Sequence, residues 1–96
     1  MNEILVLLGA EIDLQECYAK QSPTRAERLD AEIRAGLHQL ATFPYSSRTF
    51  EGVFRRYVLK GFPYALFYTV EGNRVMIQAV FDTRLSSAAI RRRLGL

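Results

Sequence analysis

A chain of 96 residues, 49% of them apolar, is the size of one domain with a single core, because a chain this short buries only about two thirds of the surface it exposes unfolded. Its longest apolar run, ILVLLGA, falls far short of the roughly 20 residues that span a bilayer and follows no basic residue, so neither a membrane span nor a secretory leader is expected and the cytoplasm is. The net charge of +3 is uneven: residues 1–51 carry eight acids and five bases, residues 52–96 two acids and eight bases, and such a basic half suits an anionic partner or is a solvated arginine-rich face.

EILVLL at residues 3–8 is a continuous apolar run of strand length ended by Gly9, which predicts a first strand buried on both faces. From Ala10 to Lys20, Ala10, Leu14, Cys17 and Tyr18 recur at helical spacing with Glu11, Asp13 and Glu16 between them, giving a first helix with one core face and an acidic start. Cys17 has no partner for an internal disulfide and reads as a small buried residue rather than a reactive thiol. SPTRAE restarts a helix: Ser22 can cap it, Pro23 suits the first position, and Thr24 with Glu27 offers an alternative capping box. This second helix runs from about Pro23 to Ala41 with Ala26, Leu29, Ile33, Leu37 and Leu40 as its core stripe, and it forms a helical hairpin with the first. Phe43 and Pro44 end it, and residues 45–52 read as a polar loop.

The period then changes. VFRRYVLK (53–60) and YALFYTV (64–70) predict a second and third strand separated by GFP, and VMIQAVF (75–81) a fourth. Gly72 and Asn73, both tolerant of positive φ, supply a two-residue hairpin turn. SSAAIRRRLGL predicts a short final helix whose late arginines complement its C-terminus. The order gives an α+β domain, an antiparallel meander plus the N-terminal strand, with the helical hairpin on one face and no cover on the other. Alternation in a regular strand puts Arg56 and Lys60 on one face and Arg55 on the opposite one, so at least one arginine lies on or near the helix-covered side.

An apolar first strand, a helical hairpin, RRYVLKGFPYALFYTV, VMIQAVFDTR and an arginine-rich end, in that succession, resemble the RelE/ParE superfamily of type II toxin–antitoxin toxins, also known as plasmid stabilisation proteins. The resemblance covers nearly the whole chain. It implies one toxin domain over residues 1–96, a growth-inhibiting bacterial protein, and a cognate antitoxin that wraps it and blocks its active surface. It also implies no metal and no organic cofactor. RelE-like members enter the ribosomal A site and cleave mRNA, whereas ParE-like members poison DNA gyrase.

Carried over residue by residue, the nuclease pattern departs from this sequence. The arginine that such ribonucleases often place before the hydrophobic stretch of the third strand falls at Ala65, which removes a cation that would stabilise the phosphate in the transition state. Arg56, with Arg55 or Lys60, corresponds to the basic residues of the second strand, and Arg84 to the arginine after the fourth. Asp82 and Thr83 stand where many relatives carry histidine and glycine. The single histidine, His38, lies in the second-helix pattern beside its core stripe, which favours a structural or solvent-facing role, and arginines can hold phosphate but stay protonated. The expectation is a toxin of the ParE-like branch acting on DNA gyrase without nuclease chemistry. The alternatives are a ribosome-dependent endoribonuclease and a non-toxic relative that only binds.

The partner-binding or anion-binding candidates are Arg55, Arg56, Lys60 and Arg84, with Arg91, Arg92 and Arg93 as a second tier; no catalytic residue and no metal ligand is assigned. Phe62, Tyr64, Phe67 and Tyr68 are expected mostly in the core rather than as platforms for bases. A basic, partly apolar face suits an acidic amphipathic antitoxin segment that folds on contact, and without that partner it could also support a homodimer.

Overall fold

The computed structural model describes residues 1–96. In chain order the elements are β1 (Glu3–Val6), α1 (Leu8–Ala19), α2 (Pro23–Thr42), β2 (Arg48–Glu51), β3 (Phe54–Val58), β4 (Tyr64–Glu71), β5 (Arg74–Asp82) and α3 (Ser87–Arg93). The strands form one sheet in the order β1-β5-β4-β3-β2, with β1 parallel to β5 and every other pair antiparallel. The expected α+β class holds. No helix is long and apolar enough to cross a membrane.

The segment YALFYT is apolar on both of its alternating faces because β4 is the central strand, and every residue from Tyr64 to Thr69 is buried. Leu66 and Tyr68 face the helical hairpin, where they pack with Leu29, Ile33 and Leu40 of α2 and Val75 and Ile77 of β5. Each such side chain, fully buried, contributes roughly 1.5–3 kcal/mol. The α2 stripe is as the spacing predicts, and its start is fixed by Ser22, whose hydroxyl accepts the Arg25 N–H at 3.3 Å ahead of Pro23. Gly36 lets α2 approach β3 closely: a Cβ there would stand 2.9 Å from Cε1 of Tyr57.

Three expectations are corrected and one is sharpened. The run EILVLL does not make a doubly buried strand: β1 stops at Val6, is half-buried or more exposed, and sits at the sheet edge with β5 as its one neighbour. Residues 48–51 are not loop but an edge strand paired with β3 and joined to it through Gly52, whose φ of +56° is open to glycine. The two-residue β4–β5 turn is as expected, and within it Gly72 alone takes positive φ, the pattern of a II′ turn. The sheet face away from the hairpin is not bare, because Ile90 of α3 is buried there with Ala65, Phe67, Ala79 and Phe81.

The LKGFP connection between β3 and β4 is anchored by Glu32 of α2. Its Oε1 accepts the N–H groups of Lys60 at 3.1 Å and Gly61 at 2.9 Å. Phe62 is buried behind that anchor, with the Arg25 guanidinium 4.8 Å from its ring centre and the Tyr64 ring nearly parallel to it. Replacing Glu32 by alanine hands both N–H groups to water, at an expected cost of about 1 kcal/mol. Thermal unfolding should show a fall in Tm of about 4–8 °C, with Glu32→Gln recovering most of it.

Candidate functional site

Strand alternation divides the basic residues between two surfaces. Arg55 pairs across the sheet with Tyr68 and Arg56 with Phe67, so Arg55 lies on the hairpin side and Arg56 on the face that carries α3. Arg55 is spent on the fold. It donates to the carbonyl oxygens of Ser47 at 2.9 Å and Tyr45 at 3.3 Å, and its guanidinium lies 5.0 Å from the Tyr45 ring centre. With Tyr68, whose hydroxyl donates to the Pro44 carbonyl at 2.7 Å, it pins the chain between α2 and β2.

Arg56 is different. Its cross-strand partner in β2 is Arg48, and neither arginine forms an ion pair. Like charges directly opposite on a sheet face are destabilising, so the arrangement favours an anion placed between them. Arg48 was hidden in the sequence because Ser46, Ser47 and Thr49 make its surroundings look like loop, although Arg48 and Phe50 already alternate.

Beside this pair the face is aromatic. Phe67 is buried between Phe50, in an edge-on contact at 5.3 Å, and Phe81 at 5.3 Å. A register shift between Phe67 and Tyr68 leaves Gln78 as an extra residue of β5, and its Nε2 donates to Oγ1 of the buried Thr69 at 3.1 Å.

Lys60 does not join Arg56. β3 ends at Val58, and Lys60 lies in the connection held by Glu32, against Ala35 of α2 and Tyr57 and Leu59 on the hairpin side. The C-terminal arginines divide: Arg91 pairs with Glu51, Arg93 pairs with Asp13 at 2.9 Å and rests 4.9 Å from the Phe81 ring centre, and Arg92 forms no ion pair. Asp13 is buried on α1 and also accepts the Val80 N–H at 2.9 Å. The α1 spacing sets Asp13 off the core face, whereas the structure buries it with Ala10 and Cys17, the other two buried residues of α1.

Arg84 is held by its own neighbour. Its Nε and Nη2 donate to the two oxygens of Asp82 at 2.9 and 2.6 Å, and its backbone N–H to Oδ1 at 2.8 Å. That guanidinium lowers the Asp82 carboxyl to about 2 from an ordinary 3.8. A carboxyl depressed on folding adds stability above its unfolded value and loses it as pH falls through the folded one, so this small contribution should be complete above about 4 and disappear near pH 2. A side-chain NMR titration of Asp82 with its midpoint near 3.8 would mean that the pair does not form in solution.

The histidine and the core tyrosines lie away from this face, and Glu51 of β2 is taken up by Arg91 of α3. His38 is exposed on α2, behind the sheet, and Tyr57, Tyr64 and Tyr68 belong to the hairpin-side core. Ala65 is buried against α3. Cys17 is buried as expected, and burial pushes its thiol up, away from reactivity. No group of three or more His, Cys, Asp or Glu side chains is placed to hold a metal ion.

Residues 7–85, from the end of β1 to the turn before α3, match the family described as ParE toxin of type II toxin-antitoxin system, parDE. The chain belongs to the ParE toxin family. A chain of the chromosomal ParDE toxin–antitoxin system from P. aeruginosa shares the fold of this ParE-family toxin with a TM-score of 0.72 at 19% identity, covering 85% of this chain and 96% of that one. The isolated E. coli RelE toxin gives 0.58 at 19% identity, covering 96% and 98%. No curated protein sequence matches significantly. This ParE-family chain is therefore a toxin of the RelE/ParE superfamily, and membership implies a cognate antitoxin as its partner.

Proposed function

We propose that this toxin acts on DNA gyrase, docking the Arg48–Arg56 side of its sheet against an acidic surface of the enzyme and making or breaking no bond itself. The observation that carries the reading is the opposed pair of arginines with no carboxylate between them. The shortage of proton-transfer groups on that face supports a docking surface over a nuclease centre, because cleavage by a 2′-hydroxyl needs one group to take its proton and another to protonate the leaving oxygen.

The test is inhibition of gyrase supercoiling by the purified chain. R48Q/R56Q should weaken inhibition about tenfold, equivalent to about 1.4 kcal/mol of binding, while its Tm stays level or rises as the repulsion is relieved. Arg55→Gln should do the reverse: a lower Tm, with inhibition kept wherever the protein is folded. Full inhibition by R48Q/R56Q would remove the assigned surface. Codon-periodic mRNA cleavage in a translating extract, with gyrase unaffected, would replace the reading with a ribosome-dependent endoribonuclease. Normal growth on expression without antitoxin would leave a binding relative with no toxicity.

A further inference from the structure

Where β5 ends, a cleft of about 380 Å³ opens between α1, the turn after β5 and α3. Three cations line it, Lys20, Arg84 and Arg93, together with three acids, Asp13, Glu16 and Asp82, over a floor that includes Tyr64 and Phe81. Cations over aromatic walls are the groups that hold a nucleotide unit, and here the acids of the same cleft offset them. Two of the three cations are already occupied by carboxylates. Arg93 is committed to Asp13, a buried acid whose second oxygen holds the Val80 N–H, so that pair joins three elements of the fold. The Arg84–Asp82 pair joins nothing: its members are two residues apart, and the Arg84 side chain is 78% exposed.

What the pair does is chemical. Asp82 meets Arg84 through Nε and one Nη, an edge of the guanidinium that a phosphate would use for a bidentate contact. A carboxylate two residues away competes for that edge at far higher effective concentration than any ligand from solution. We propose that Asp82 is a specificity-determining residue that keeps phosphodiesters out of this cleft, so that RNA cannot use Arg84 as an anchor. The inference is independent of gyrase as the target, because its readout is RNA binding alone.

Asp82→Asn is the informative change. The amide oxygen can still accept the Arg84 backbone N–H that closes the turn, while the charge on the guanidinium is released. Binding of a short fluorescein-labelled oligouridylate, followed by anisotropy at low salt, should tighten about tenfold in D82N relative to the natural chain. The salt slope should steepen by about one unit, and both gains should vanish in D82N/R84Q. R84Q alone should leave oligouridylate binding unchanged, since in the natural chain Arg84 is already neutralised. That variant keeps the proposal falsifiable if D82N folds poorly, because a loss of binding in R84Q would show that Arg84 contacts phosphate despite Asp82. An unchanged affinity in folded D82N, or a gain that survives R84Q, would equally overturn the proposal.

Discussion

Phe67→Ala is expected to cost about 3–5 kcal/mol, the range for removing a buried aromatic ring and leaving a cavity. Phe67 is 1% exposed and touches both Phe50 of the edge strand and Phe81 of β5. It is also one of the two phenylalanines of the small apolar cluster into which Ile90 seats α3. A helix of seven residues has little stability of its own, so α3 depends on that cluster and on the ion pairs of Arg91 and Arg93. The loss should therefore appear in two ways. Urea denaturation should give a lower midpoint, and hydrogen exchange should show the amides of residues 90–94 opening well before those of β4 and β5. If α3 stayed protected in a folded Phe67→Ala chain, its docking would rest on the arginines rather than on the aromatic cluster.

The elements that carry the core were legible because the physics that places them is local or periodic. β4 reads as a continuous apolar run since it is central, and α2 reads as a stripe with Ser22 and Pro23 at its head. β2 was not legible, because a four-residue edge strand has too short an alternation to stand out from polar neighbours. Lys60 was misplaced for a related reason: alternation predicts a face only while the strand continues, and Glu32 takes over the backbone two residues after β3 ends.

The candidate site shows the same boundary more sharply. Counting cations made seven basic residues look alike, but pairing separates them. The Arg84–Asp82 contact spans two residues and was within reach of the sequence, whereas Arg91–Glu51 spans 40 residues and Arg93–Asp13 spans 80. Those two contacts depend on how α3 folds back over the sheet, which no local pattern encodes. Arg48 and Arg56 emerge as the opposed free pair only after the partners of the others are known.

Asp13→Ala is expected to lower stability by about 2–3 kcal/mol, a large effect for a helix residue that reads from sequence as solvent-facing. The cause lies in the sheet edge. β1 ends at Val6, opposite Ile77, so the later part of β5 has no strand on the side away from β4 and the buried Val80 N–H would lack a partner. Asp13 supplies the acceptor from α1 and presents its other oxygen to Arg93. Most of the cost should come from the orphaned N–H rather than from the arginine, whose side chain is 56% exposed and can turn to water. Asp13→Asn, which keeps an acceptor for Val80 but loses the charge, should therefore recover more than half of the deficit in urea midpoint. Arg93→Gln should fall between the natural chain and Asp13→Ala, because it strands a buried carboxylate with a single hydrogen bond. If Asp13→Asn proved as unstable as Asp13→Ala, the ion pair to α3 would be the dominant contribution, and the final helix would be held to the domain chiefly by charge.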